Sequence, residues 1–311
     1  TTAANAPGQK APLVPTLDLP KGGGALRDLD EQVTTNPVTG TAAFTIALPL
    51  PAARGTQPDL ALSYDSGAGN GPFGAGMTLT VPSITRARID KGVPRYDDTD
   101  TFMLTGEDEL VPYLRLMGED WLPDERADGE HRVRRYRPRT ETSFARIEHW
   151  RHAEVNRDHW RVVTADNVTL LFGTTPEARL ADPTDPRRIY RWSLTERRDD
   201  RGNLVRYGYA REDADGVDLA APGEQGRART GHYLKVVHWG NLVAAPAVEA
   251  DWVFKLVFDY GDHRPTPALA PDQRWPARAD SFSTYRSGFE IRAHRLCHRV
   301  LLFHHVVGTA A

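Results

Sequence analysis

The residues with the most apparent chemistry are Gly69-Asn70-Gly71-Pro72-Phe73-Gly74, which spell the G-x-G-x-x-G pattern of dinucleotide-binding loops. Such a loop follows a strand and opens a helix, whose N-terminal amides receive a pyrophosphate. Here a strand pattern precedes it, but Ala75-Gly76-Met77-Thr78-Leu79-Thr80-Val81-Pro82 after it is also strand-like, and Pro72 removes one amide donor. The stretch Gly67 to Gly76 therefore reads as a tight bend between strands, where glycine allows φ > 0 and close backbone approach. No cofactor is expected. Valine at Gly71 or Gly74 is expected to impair folding.

Histidines and acids come next. His149, His152 and His159 lie near Glu148 and Glu154, and a hairpin of 144–150 with 159–164 would bring the imidazoles together. Their spacing fits no standard zinc pattern. His294, Cys297, His298, His304 and His305 cluster near the C-terminal end; on a strand, His294 and His298 would share a face opposite Cys297. Asp213-Ala214-Asp215-Gly216-Val217-Asp218 resembles part of a calcium loop but lacks the closing glutamate, and reads as an acidic surface loop. The pairs Asp97-Asp98 and Asp199-Asp200 sit in turns, where carboxylates cap backbone amides. Nucleophile elbows, zinc-protease helices, P-loops and glycosidase carboxylate pairs are absent. The expectation is a non-enzymatic chain with no catalytic, cofactor-binding or metal-binding residues.

The elements that carry these residues alternate with period two. Ala43 to Leu50, Asp59 to Asp65, Met77 to Val81, Thr101 to Leu104, Leu110 to Leu114, Phe144 to Trp150, His159 to Thr164 and Thr169 to Phe172 read as half-buried strands. Ile189 to Arg197, Leu204 to Tyr209, Tyr233 to Trp239, Trp252 to Tyr260 and Phe289 to Phe303 follow. Asp199-Asp200-Arg201-Gly202-Asn203, leading into a strand with Tyr207 and Tyr209 on one face, is a hairpin device. With 23 prolines and 26 glycines there is no room for long helices. The fold class is all-β: a large antiparallel sheet or sandwich-like shell with short strands and long loops. Residues 1–15 read as a flexible leader, 16–311 as one β domain, and 212–230 as an exposed loop.

Composition narrows the partners. A formal net charge of -3 gives no basic surplus for nucleic acid. Runs such as Arg132-Val133-Arg134-Arg135-Tyr136-Arg137 and Arg197-Arg198 lie near acids and read as solvated strand faces. One cysteine, Cys297, excludes a disulfide framework within the chain. No apolar run is long enough to span a membrane as a helix, and residues 1–15 carry no signal-peptide pattern.

An ordered series of segments resembles a known family. Leu19-Pro20-Lys21-Gly22-Gly23-Gly24-Ala25-Leu26, Asn36-Pro37-Val38-Thr39-Gly40-Thr41 and Leu62 through Gly74 resemble the SpvB-type N-terminal domain. So do Pro82-Ser83-Ile84-Thr85-Arg86, Asp90-Lys91-Gly92, Pro94 to Asp98, Phe172-Gly173-Thr174-Thr175, Arg198 to Asn203 and Arg295-Leu296-Cys297. That domain type occurs in the B component of bacterial insecticidal toxin complexes and in a Salmonella plasmid virulence protein. The resemblance implies part of a hollow β-strand shell, completed by a propeller and Rhs-type repeats, that encloses the toxic region of a C component. It implies as partners the remaining toxin domains or subunits, self-association through strand edges, and a secreted location reached from the bacterial cytoplasm. In the Salmonella protein the domain precedes an actin-directed ADP-ribosyltransferase. Arg286-Ser287-Gly288-Phe289-Glu290 has only one glutamate of the pair such a transferase needs, so that activity is not carried over. Val306 to Ala311 resemble a truncated or unusual tail. The alternatives are a stand-alone host-surface or carbohydrate binding module, and a hydrolase built from distant carboxylates.

Overall fold

Alternation becomes strand after strand in the computed structural model, which describes residues 34–35, 39–88, 92–141, 143–154 and 157–306. The expected leader, the segment 19–26, Asn36-Pro37-Val38, Asp90-Lys91 and the tail from 307 lie outside the described residues. Regular helix among the described residues is limited to two short 3₁₀ turns, Pro176–Ala178 and Glu249–Asp251. No helix is long and apolar enough to cross a membrane.

The main sheet has fourteen strands, and part of it closes on itself. Ser83–Ala87, Thr101–Leu104, Glu109–Pro112, His131–Pro138, Arg146–His152, His159–Val163, Thr169–Phe172 and Ile189–Arg198 pair in succession, and the last pairs back to the first. A closed ring of eight antiparallel strands is just wide enough for side chains to fill. Ile84, Leu110, Ile147, Trp160 and Phe172 fill it and are fully buried. Phe102 packs edge-on against Trp160, with ring centroids 4.8 Å apart. The barrel is a packed core and not a channel.

Ile189–Arg198 belongs to two structures at once. One edge pairs with Thr169–Phe172 and Arg179–Ala181. The other pairs first with Ser83–Ala87 and then, through Glu196 to Arg198, with Leu204–Arg211. From there an open meander runs through His232–Asn241, Trp252–Asp259 and Arg299–His304. Its core face carries Val205, Tyr207, Val237, Trp239, Phe254, Leu256 and Phe258. A smaller sheet, Thr34–Thr35, Ala42–Ala47, Ala61–Asp65 and Met77–Leu79, lies beside it in sequence order.

Most expected strands are present with ends shifted by a residue or two, and Thr101–Leu104 and Thr169–Phe172 match in full. Two expectations need correction. Leu110 to Leu114 is broken at Tyr113 into Glu109–Pro112 and a projecting hairpin, Leu114–Met117 with Asp120–Pro123. Phe289 to Phe303 is likewise two strands, Ile291–Ala293 and Arg299–His304, because 294–298 leaves the ladder. Arg295 is the physical reason. It is fully buried, and its guanidinium needs acceptors that a neighbouring strand cannot supply.

Candidate assembly surfaces

The glycine bend builds a small device. Asn70–Gly71 pairs with Gly74–Ala75 around Pro72 and Phe73. Gly74 sits at φ +104° and Gly76 at φ +74°. A Cβ on Gly76 would stand 2.6 Å from Tyr64 Cε2 and 2.9 Å from the Asp65 carbonyl oxygen. At Gly71 the backbone is ordinary, although a Cβ would lie 3.2 Å from Met77 O. The segment leads into strand Met77–Leu79, with no helix N-terminus behind the glycines. Phe73 instead packs edge-on against Phe258 at 6.0 Å. Arg278 pins the bend by donating to Gly71 O and Asn70 Oδ1, both at 2.8 Å.

The candidate histidines separate. The 146–152 and 159–163 strands do form a hairpin. His149 points into the barrel, stacked on Trp160 at 4.2 Å, with Nε2 2.9 Å from Asp158 Oδ1. Trp192 Nε1 donates to the same carboxylate at 3.0 Å. Burial pushes the His149 pKa down, so the imidazole is neutral at pH 7. His152 and His159 instead flank His131, at centroid distances of 4.9 and 5.5 Å. At the C-terminal end, His294 is buried against Glu224 at 2.8 Å. Cys297 donates its backbone N–H to Pro72 O at 2.7 Å, and burial pushes its thiol up to about 12, so it stays protonated. His294 and Cys297 thus lie in an irregular stretch and not on a shared strand.

The acidic loop is answered by an arginine. Arg295 Nε donates to Glu212 Oε2 at 3.0 Å and Nη2 to Glu212 Oε1. Its Nη1 donates to the carbonyls of Asp215 and Trp275, both at 2.7 Å. Asp213 accepts from Trp275 Nε1 at 2.9 Å. The 212–230 stretch, expected as an exposed loop, thus sends Glu212 and Thr230 into the interior. The turn carboxylates behave as expected: Asp97 Oδ1 accepts from the Thr99 amide at 2.9 Å, and Asp199 Oδ1 from the Asn203 amide at 2.8 Å. Glu290 is held by Ser283 Oγ at 2.6 Å and the Ala228 amide at 2.9 Å. Within the basic run at 132–137, Arg132 and Arg134 are partnered: Glu125 gathers Arg132, Arg134 and Arg151, while Glu148 takes Arg126 and Arg146.

Two surfaces stand out as open among the described residues. Arg299–His304 ends the main sheet, and among the described residues no strand covers its outer edge. Leu302 stands opposite Leu256 on the core side of the sheet, yet is 45% exposed. On the other side, Trp252, Lys255, Leu269 and Phe303 help line a cavity of about 570 Å³. The second surface is the projecting hairpin, where Leu116 (52%), Met117 (58%) and Trp121 (65%) are all exposed. Singly exposed apolar residues are ordinary, but a contiguous set marks an interaction surface. The expected strand Leu110 to Leu114 ends where this hairpin begins and did not include it; Gly118 between Leu116 and Trp121 is the turn signal the sequence offers.

Comparisons with known proteins agree with this geometry. The family described as "SpvB: Salmonella virulence plasmid 65kDa B protein" matches residues 36–306. The mono(ADP-ribosyl)transferase SpvB of Salmonella typhimurium (strain 14028s) is 40% identical over 309 residues, covering 92% of this chain and 50% of the relative. The chain thus spans about half the length of the curated relatives it matches. The solved N-terminal domain of effector protein SpvB from Salmonella typhimurium strain LT2 superimposes with a TM-score of 0.75 and 40% identity, covering 85% of this chain and 90% of that one. The TcdB2-TccC3 crystal structure gives a TM-score of 0.78 and 36% identity over 94% of this chain and 15% of its own. The closed barrel, the open meander and the glycine bend are therefore those of a toxin-associated structural module, and the chain belongs to the SpvB family.

Proposed function

We propose that this chain is a non-catalytic wall segment of a secreted bacterial toxin, one that helps enclose or present a toxic region for delivery into host cells. The observation that carries this reading is the meander's core face, which runs out to solvent at Leu302 on an uncovered edge strand. An edge of this kind templates further strands, as a shell built from successive β elements requires. The likeness to a TcdB2-TccC3 chain of which this chain covers 15% supports a small part in a larger assembly. Its partners are the remaining domains or subunits of that assembly, and 1–15 is a leader to a single β domain.

Light scattering of the 311-residue chain tests the proposal. Concentration-dependent association is expected, and Leu302→Lys should reduce it while changing stability by less than about 0.5 kcal/mol. A monomer at all concentrations, or association indifferent to Leu302→Lys, would remove the edge from the argument. ADP-ribosyl transfer by the isolated chain would overturn the non-catalytic reading.

A further inference from the structure

Among the described residues, several arginines with buried side chains have a carboxylate. Arg295 has Glu212, Arg292 has Glu224 and Arg86 has Asp100. Arg191 has none. It alternates with Trp192 and Leu194 along the shared strand, so it faces away from the barrel interior, on the same side as Ser193. Its Nε is shut off from solvent and meets no acceptor. The side chain lines a cavity of about 220 Å³ between the barrel wall, the glycine bend and the meander, together with Ser193, Tyr209 and His232. Ser193 Oγ and His232 Nε2 are 2.9 Å apart.

His232 also lines a second cavity, of about 290 Å³, with Arg211 and Arg229. Arg211 is the cross-strand partner of His232 and donates only to the Pro176 carbonyl, at 2.6 Å. The one carboxylate in either lining is Asp182, which is already occupied by Arg188 at 2.6 Å and Thr184 Oγ1 at 2.7 Å. Burial, with Arg191 and Arg211 adding to it, pushes the His232 pKa down to about 3.

Burying part of a guanidinium without a counter-charge is costly, and such a group is retained where something else supplies the negative charge. Its planar fork matches an oxyanion. We propose that the paired cavities around His232 form an anion-binding site, in which Arg191 is the central donor, Ser193 and Arg211 are flanking donors, and the ligand is a small phosphate-type oxyanion, free or on a small molecule. The site lies apart from both open surfaces and goes beyond the shell reading.

Thermal unfolding and titration calorimetry with inorganic phosphate, at constant ionic strength set with chloride, test the site. Phosphate should raise the melting temperature in a saturable way. Arg191→Gln should weaken binding at least tenfold, and Arg229→Gln, on an exposed residue, by a smaller factor without disturbing the fold. Arg115→Gln, on the projecting hairpin, should leave binding unchanged. Acetate in place of phosphate separates the chemistries: an equal response to acetate would assign a carboxylate and overturn the phosphate preference. No saturable response to phosphate, or one unaltered in both Arg191→Gln and Arg229→Gln, would overturn the site.

Discussion

The barrel and the meander share a strand but treat their edges in opposite ways. The barrel pairs every strand on both sides and fills its interior mostly with aromatic and branched residues, with neutral His149 held by Asp158 and the Arg86–Asp100 pair as its polar members. The meander leaves Arg299–His304 uncovered and buries the Arg295–Glu212 pair, while Arg191, on the strand the two regions share, sits beside a cavity without a counter-ion. Closure makes one region complete in itself, whereas the other keeps groups that only further contacts can satisfy. The difference teaches where to look for function in an all-β chain that has no catalytic motif.

The largest expected break in this contrast is at Arg295. Glu212→Gln removes the buried carboxylate from a fully buried guanidinium, leaving only the more exposed Asp213 at 3.2 Å, and should cost about 3 kcal/mol in denaturant unfolding. Combining it with Arg295→Met should recover a good part of that loss; if the double variant is as unstable as the single one, the pair is not acting through charge. Next is the bend. Gly76→Val places a branched side chain at positive φ against Tyr64 and the Asp65 carbonyl, and should cost on the order of 2–3 kcal/mol. Gly71→Val, with ordinary backbone, should cost less, and the reverse order in thermal melts would contradict the bend geometry.

Within the mildly acid range, the effect is a pH slope. The folded-state pKa of His232, about 3, lies below its unfolded value near 6.5. As pH falls below 6.5 the unfolded chain takes up the proton first. The stabilisation is therefore complete above that pH and drains away toward pH 3, by about 1.4 kcal/mol per unit. By pH 5 the loss is on the order of 2 kcal/mol, measurable by urea titration at both pH values. His232→Gln should flatten the slope in part, leaving the contribution of His149, which has the same sign. An unchanged slope would mean that the cleft around Arg191 is more open to water than its geometry indicates.

Much of this is legible in the sequence. Alternation gave the strands, because a half-buried strand must present apolar groups every second residue. The Asp199 to Asn203 turn was legible because its hydrogen bonds are local. Closure was not, since Ser83–Ala87 meets Ile189–Arg198 across roughly a hundred residues, and nothing local specifies such a partner. The interruption at 294–298 depends on Glu212, equally remote from Arg295. Arg191 carried no signal at all: an arginine in a strand reads as solvated until a second sheet is laid over it.

The shared strand has one more consequence. Ile189–Arg198 is hydrogen-bonded on both edges along most of its length, to the barrel and to the meander alike. Opening either region strips one edge of the other, so the two should unfold as one cooperative unit. Tension entering at the free edge reaches this strand through a relay of antiparallel ladders, and pulling along its axis loads many hydrogen bonds together instead of opening them one by one. It acts as a seam that resists tearing, so that the open side can be tugged without the closed side giving way first.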